Sequence, residues 1–363
     1  MLSYRLYGSK SGNSSWPRVA AGIAEGLAAT GVKSSWYDTS ALLDDGDALT
    51  EGWDADVGLY VGPPNECGVL AARGRHKHRL ALVAANSSWL PEATMKFMGS
   101  VVTGYLAPSA WAMDVLLKHS GKLPVFLFKH GISEEFRADA SYVQDMVGVP
   151  FMAAHFASTS MQRKGTAELI QAWAHLQVLA PTVLGERACL ELYIEGSHGY
   201  AEKALDLAEE KYSGFNRSAV HVMDPVNYRE NAMRALYQNY HVIIQPSRSE
   251  GFGLVPLEAL CSGVPVVVTY ATGHLEYLRQ GLYGASLVHV LPDAPIDDGP
   301  GAMAPGLDFY AVASALTVAR KQWQRNAEQA AIYAGKLRRE WSWSQVTEEF
   351  VERFDQWAAT HAS

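Results

Sequence analysis

Short apolar runs of strand length alternate with amphipathic stretches along almost the whole chain. In the first part, runs at about Tyr4–Tyr7, Lys33–Tyr37, Val57–Val61, Leu80–Ala85, Thr103–Leu106 and Val125–Phe128 read as strands. Helical stretches separate several of them. The clearest runs from Pro17 to Ala29, with proline in its first turn and Gly31 just past its end. A polar segment, Ser133 to Ala140, breaks the pattern and reads as a linker. A second alternating set follows at Pro150–His155, Leu190–Ile194, Ala219–Met223, His241–Gln245 and Val264–Val268. Pro292–Gly306 reads as a loop rich in Asp, Gly and Pro, ahead of two terminal helices. The fold class expected is α/β: residues 1–135 and 149–335 each form a Rossmann-like domain with a parallel sheet wrapped by helices. Residues 340–363 form a last helix.

The polar residues fall directly after the strands. In the first domain these segments are Gly8–Asn13, Gly62–Glu66, Asn86–Trp89 and Lys129–Gly131. In the second they are Ser158–Gly165, Glu195–Gly199, Asp224–Asn227, Pro246–Gly253 and Thr269–Glu276. Ligands of open parallel sheets bind beyond the carboxyl ends of the strands, so two such rims facing one another predict an interdomain cleft.

Composition narrows the classes. The chain has 363 residues, 48% hydrophobic and 19% charged, enough for two cores and too apolar for global disorder. The net charge of −8 argues against a general nucleic-acid binder. Cys67, Cys189 and Cys261 show neither metal-ligand spacing nor a disulfide framework, which fits a reducing compartment. No apolar run is long enough for a transmembrane helix, and Met1–Arg5 has no signal-peptide core. A cytoplasmic protein is expected.

The chemistry concentrates between Ser249 and Ala259. A strand ending at Gln245 turns through Gly251-Phe252-Gly253 into a short helix, with Glu250 before the turn and Glu258 within the helix. Backbone N–H groups at a helix start suit phosphate, and the two carboxylates suit sugar hydroxyls. Glu250, Gly251, Phe252, Gly253, Glu258, Ala259, Gly263, Pro265 and Val266 together resemble the signature of glycosyltransferase family four, the retaining transferases of the GT-B fold. The likeness is strong from about Pro150 to Gln280 and weaker from Met1 to Gly131.

The resemblance implies two Rossmann-like domains and a nucleoside-diphosphate sugar as donor; no essential metal or other cofactor is expected, since neither acidic run, Asp44–Asp47 or Asp297-Asp298, follows a convincing strand. It gives Lys164 the donor diphosphate. The charge pattern agrees, because a cation opening the helix from Thr166 is disfavoured unless an anion joins it. The arginine that the family often carries about five residues earlier, near Ser158 or Thr159, is missing here; either Arg163 or those hydroxyls replaces it. By the same resemblance Glu258 accepts from the ribose hydroxyls, Glu250 binds the transferred sugar, and the backbone of Gly251, Phe252, Gly253 and Leu254 contacts sugar and phosphate. Gly12 and Asn13 belong to a loop that relatives place against the donor phosphate and the acceptor. Asn86 stands where relatives have a His or Glu near the reacting sugar; its amide can hold a hydroxyl but cannot act as a base. His130 is read as structural, and the last helix, with Trp341, Trp343, Phe350 and Phe354, as packing back on the first domain.

Three features lie outside that pattern. The basic run Arg73–Arg79 is read as a solvated loop, and Asp44–Asp47 and Asp297-Asp298 as acidic loops without metal. The expected reaction is retaining transfer of a sugar, with glucose from UDP-glucose as the starting assumption, to a hydroxyl of a small molecule or glycan. Two other readings stay open: transfer to hydroxymethylated pyrimidines in phage-type DNA, and a non-catalytic nucleotide-sugar binder.

Overall fold

The computed structural model describes all residues except 12–14, 42–54, 158–159, 196–197, 225–229, 280 and 362–363. The chain divides into two compact units, one of residues 1–133 with 339–363 and one of residues 134–338.

Unit 1 holds a six-stranded parallel sheet. Its strands are β1 (Tyr4–Gly8), β2 (Ser34–Asp38), β3 (Val57–Val61), β4 (His78–Leu82), β5 (Gly104–Ala107) and β6 (Val125–Leu127). They lie in the order β2-β1-β3-β4-β5-β6, with Tyr4 in register with both Ser34 and Val57. The helix Trp16–Ala29 carries Pro17 in its first turn and buries Val19, Ala20, Ile23 and Leu27. Gly31 follows it at φ 72°, the left-handed geometry that glycine adopts freely.

The last helix, Trp343–Thr360, belongs to the same unit. Phe350 stacks on Phe128 with ring centroids 4.3 Å apart, and Phe354 meets Phe126 edge-on at 5.1 Å. The Ile132 N–H donates to the Trp341 carbonyl at 2.6 Å. The close approach of the two helices depends on Gly22 and Gly26, one turn apart on one face of Trp16–Ala29. A methyl on Gly22 would overlap the Trp343 indole, and one on Gly26 would meet the Thr347 side chain. Gly22→Ala would gain about 0.5–1 kcal/mol of helix propensity. Displacing the indole outweighs that gain, since overpacking costs about 1–3 kcal/mol. A lower urea midpoint, followed by tryptophan fluorescence, is the expected result; an unchanged or higher midpoint would show the crossing to be slack.

Unit 2 holds a second six-stranded parallel sheet. Its strands are β7 (Met152–Ala157), β8 (Cys189–Ile194), β9 (Val220–Met223), β10 (Val242–Gln245), β11 (Val266–Thr269) and β12 (Ala285–Val288), in the order β12-β11-β10-β7-β8-β9. Every residue of β10 and β11 is buried. Continuous apolar, β-branched strands of this kind are what a parallel sheet covered on both faces requires. The chain runs outward from β7 in both directions, so β7 and β10 flank the switch in strand order, where such sheets bind ligands.

The structure departs from the sequence reading in the second half of the chain, where three helices rather than two follow Gly306: Phe309–Lys321, Trp323–Glu340 and Trp343–Thr360. Strand β12 was not foreseen; four residues beside Gly281 and Gly284 give little periodicity to read. The boundary between the units falls inside the segment read as a linker, between Ser133 and Glu134, and its Phe136 is buried in unit 2 with its ring 6.1 Å from that of Tyr237. Within Pro292–Gly306 the backbone pairs as an antiparallel hairpin, β13 (Leu291–Pro295) with β14 (Met303–Gly306). The hairpin is held from outside its own sequence. The Arg248 guanidinium donates to the carbonyls of Pro305, Ala294 and Pro295 at 3.0, 3.0 and 3.3 Å. Asp297 lies between its strands, and its N–H donates to Gln162 Oε1 at 2.7 Å.

Candidate functional site

Two helices start at the switch between β7 and β10, each entered through a left-handed glycine. Gly165, at φ 70°, precedes Thr166–Leu179, and Gly253, at φ 88°, precedes Leu254–Cys261. Neither position tolerates a side chain. A methyl on Gly165 would strike the Pro246 carbonyl, and one on Gly253 would strike the His274 ring. The glycines therefore let both helix starts close onto the ends of the strands.

The charged residues meet there. Lys164 Nζ lies 2.6 Å from Glu250 Oε1, and an Arg163 guanidinium nitrogen 3.3 Å from Glu250 Oε2. Arg163 also donates to the Ser249 carbonyl at 2.8 Å, while its own carbonyl accepts from the Arg248 N–H at 2.7 Å. Burial alone would raise the Glu250 pKa; the Lys164 charge, then that of Arg163, holds it well below the usual carboxylate range. Burial pushes the Lys164 ammonium down, and Glu250 partly restores it.

The backbone of Glu250 is fixed from the far side of the loop. Its N–H donates to Thr272 Oγ1 at 3.0 Å, and its carbonyl accepts from the Gly273 N–H at 2.9 Å. Thr272 sits at φ 49°, an unfavourable conformation for a β-branched residue, and it holds Glu250 from that position. Next to it His274 is fully buried. Its Nδ1 lies 3.1 Å from Thr269 Oγ1 and 3.2 Å from the Thr269 carbonyl, so Nδ1 carries the proton.

Glu258 is buried in the second turn of its helix, and its Oε2 accepts from the Tyr237 hydroxyl at 2.6 Å. The Gly253 carbonyl accepts from the Tyr277 hydroxyl at 3.0 Å. Phe252 packs under the turn against Tyr277, with ring centroids 5.8 Å apart.

Lys164, Arg163 and Glu250 thus form one cluster. Gly251, Phe252, Gly253, Leu254 and Glu258 continue it along the loop and helix. Sequence reasoning missed Tyr237, Thr272 and His274 as individual residues. Thr272 and His274 lie in a segment already noted after β11, whereas nothing in the sequence links Tyr237 to Glu258.

Among the residues expected in the first domain, Asn86 is exposed beyond β4. His130 is buried beside Trp343 in unit 1, and burial pulls its pKa down to about 3, so its ring is neutral. Gly12, Asn13, Ser158, Thr159 and Asp44–Asp47 lie outside the described residues. The basic run requires correction. Arg73, Arg75 and Lys77 are exposed, but His76 and His78 are buried. The His76 ring bonds the Ala55 carbonyl and the Tyr7 hydroxyl, each at 2.8 Å, and Arg79 donates to the Val101 carbonyl at 2.6 Å. Half of the apparent basic patch therefore knits the start of β4 into the unit, which weakens the case for a nucleic-acid contact there.

Solved structures share this architecture. HepE of Anabaena, crystallised with UDP and glucose, superposes with a TM-score of 0.68 over 98% of this chain and 100% of its own, at 13% identity. WaaG, a glycosyltransferase involved in lipopolysaccharide biosynthesis, gives 0.64 over 96% and 99%, at 15% identity. At such identities the likeness speaks to the fold, which is GT-B. An uncharacterized glycosyltransferase of Methanocaldococcus jannaschii is 31% identical over 139 residues, 38% of this chain and 32% of that protein. That match spans about a third of the relative's length. A broader match covers residues 110–350, which fit the family described as Family 4 Glycosyltransferase in conflict systems. Both the loop that carries Glu250 and the helix that carries Glu258 lie within those residues, and the chain belongs to that family.

Proposed function

We propose that the chain transfers a sugar from a nucleoside diphosphate to a hydroxyl acceptor with retention at the anomeric carbon. The observation that carries this reading is the Lys164–Glu250 pair at the ends of β7 and β10, beside two glycine-entered helix starts. Lys164 and the N–H groups of those helices supply preorganised positive charge for a departing diphosphate, commonly the largest catalytic contribution. Arg163 stands in for the arginine missing near Thr159. Glu250, fixed at its backbone, takes hydroxyls of the transferred sugar, and Glu258, oriented by Tyr237, takes the ribose hydroxyls. Gly251 and Gly253 let backbone approach the ligand. On this reading the acceptor oxygen forms the new bond as the bond to the diphosphate breaks, and the departing phosphate oxygen receives the acceptor proton. No metal is required.

UDP-glucose is the first donor to test, supported by the UDP and glucose named for HepE. Unit 1 is the proposed acceptor-binding body, with the Asn86 amide holding a hydroxyl. The proposed location is the cytoplasm; among the described residues no helix is long and apolar enough to cross a membrane.

A panel of nucleotide sugars, with binding and hydrolysis or transfer measured separately, tests the proposal. Glu258→Ala removes charge-assisted hydrogen bonds worth about 1.5–3 kcal/mol. It is expected to weaken the preferred donor about 10- to 100-fold. Tyr237→Phe is expected to weaken it several-fold. A donor that binds but is never transferred or hydrolysed would favour a non-catalytic binder. A panel that shows no binding would remove the donor-site reading altogether.

A further inference from the structure

Cys189 and Glu191 are two residues apart on β8 and so face the same side of the sheet. The parallel register sets His221 of β9 directly beside Glu191. The three side chains thereby converge, with one potential ligand atom from each lying within 4.8 Å of the others. We propose that this cluster is a zinc site.

The geometry points to zinc more than to a hard cation. Thiolate, imidazole and carboxylate together form a zinc donor set, whereas magnesium and calcium take oxygen. Cys189 Sγ lies 3.5 Å from His221 Nδ1. Bonds of about 2.3 Å to sulfur and 2.0–2.1 Å to nitrogen, at a tetrahedral angle, place those two atoms about 3.5 Å apart.

The surroundings orient each ligand. His221 Nε2 lies 3.1 Å from the Ser218 carbonyl, so the proton sits on Nε2 and the Nδ1 lone pair faces the thiol. A backbone acceptor on the second ring nitrogen is the usual support of a metal-bound histidine. Glu191 Oε2 accepts from the Tyr193 hydroxyl at 2.9 Å and from the Tyr240 hydroxyl, which fixes the carboxylate beside the thiol and the imidazole. Binding deprotonates the thiol and releases that proton to solvent. Three protein ligands leave the fourth position for water, on the side of the exposed His221.

The location separates this site from the sugar-transfer cluster. Cys189 opens β8, and β9 is the edge strand of the sheet, while Lys164 and Glu250 follow the carboxyl ends of β7 and β10. A zinc ion here would clip a four-residue edge strand to its neighbour. Sequence spacing could not reveal it, because the ligands come from two strands and are joined only by their register. The proposal does not rest on the glycosyl-transfer reading.

The test uses the full chain, stripped with a chelator and then dialysed against zinc alone. One zinc per chain is expected. Cobalt alone should give a thiolate-to-cobalt charge-transfer band. Cys189→Ser should abolish the band, and the exposed His221→Ala should abolish tight zinc uptake without unfolding the chain. Tyr240→Phe should weaken zinc about tenfold through its loss behind Glu191. Stripped wild-type protein that takes up no zinc would overturn the proposal and leave a weak thiol–imidazole hydrogen bond. Zinc bound equally well by wild type, Cys189→Ser and His221→Ala would overturn it too, by placing the ion elsewhere.

Discussion

Glu250→Gln is expected to bind a nucleoside diphosphate about tenfold more tightly than the unaltered chain, while transferring sugar at least about a hundredfold more slowly. The two effects have one origin. The Glu250 carboxylate already neutralises Lys164 at 2.6 Å and Arg163 at 3.3 Å, so an arriving diphosphate competes with it. Removing that carboxylate leaves two adjacent cations in a buried setting. Breaking one partner out of a buried pair typically costs about 3–5 kcal/mol. A diphosphate returns the missing negative charge, and recovery of about 1.4 kcal/mol is already tenfold in affinity. Turnover falls because the transferred sugar loses the group that positions it, and misplacement by about 1 Å costs roughly 10²-fold.

Lys164→Ala should move binding the other way. The diphosphate loses its nearest cation, affinity falls, and the chemical step slows by about 10²–10³-fold, as when one preorganised donor is removed from an active site. Calorimetry with the nucleoside diphosphate alone and single-turnover transfer measure the two quantities separately. If Glu250→Gln binds the diphosphate no better than wild type, the competition is absent. If Lys164→Ala turns over normally, Lys164 does not face the leaving group.

The residues themselves show how far sequence could reach. Eleven of the twelve strands described in the two parallel sheets announce themselves, most of them as short apolar runs closed by a turn, as Val242–Gln245 and Val266–Thr269 are. Glu250 and Glu258 were legible because their spacing is fixed within one loop and one helix. Tyr237 was not, since its hydroxyl meets Glu258 only after the preceding helix packs against it. The ion pair of Lys164 with Glu250 spans 86 positions and exists only because β7 and β10 are neighbours. The same limit applied to the basic run, where composition suggested solvent and burial of His76 and His78 proved otherwise. Contacts made across the sheet were hidden; contacts made along one segment were visible.

Stability should fall steeply between about pH 6.5 and pH 4, and unit 2 should lose more of it than unit 1. Burial lowers the pKa of His155, His241 and His274 in unit 2 to about 4 each, and in unit 1 that of His130 to about 3 and, in the same direction, that of His78. Their hydrogen bonds agree with neutral rings. His155 donates from Nδ1 to the Ile244 carbonyl at 2.8 Å and accepts at Nε2 from Thr166 at 3.0 Å. His241 Nδ1 accepts the Met152 N–H at 3.0 Å, so a second ring proton would collide with a donor. In the unfolded chain each ring titrates near 6.5. Below that pH the unfolded state binds protons that the folded state refuses until about pH 4, so stability rises with pH across the window and is lost as pH falls. Each histidine contributes up to about 1.4 kcal/mol per pH unit, and three in one unit approach the entire stability of an ordinary domain, about 5–15 kcal/mol. Glu168, whose pKa burial raises, works in the opposite direction, but it is one group against three. The low pKa of Glu250 adds to the loss only from about pH 5 downward, where the unfolded carboxylate begins to titrate. Urea midpoints from pH 7 to pH 5 should therefore drop, with Trp173 and Trp323 reporting unit 2 and Trp341 and Trp343 reporting unit 1. Replacing His155 by Gln should flatten the unit 2 slope by about one proton. A midpoint that stays level down to pH 5 would mean these rings are already charged in the fold, and the neutral hydrogen-bonding assigned to them would be wrong.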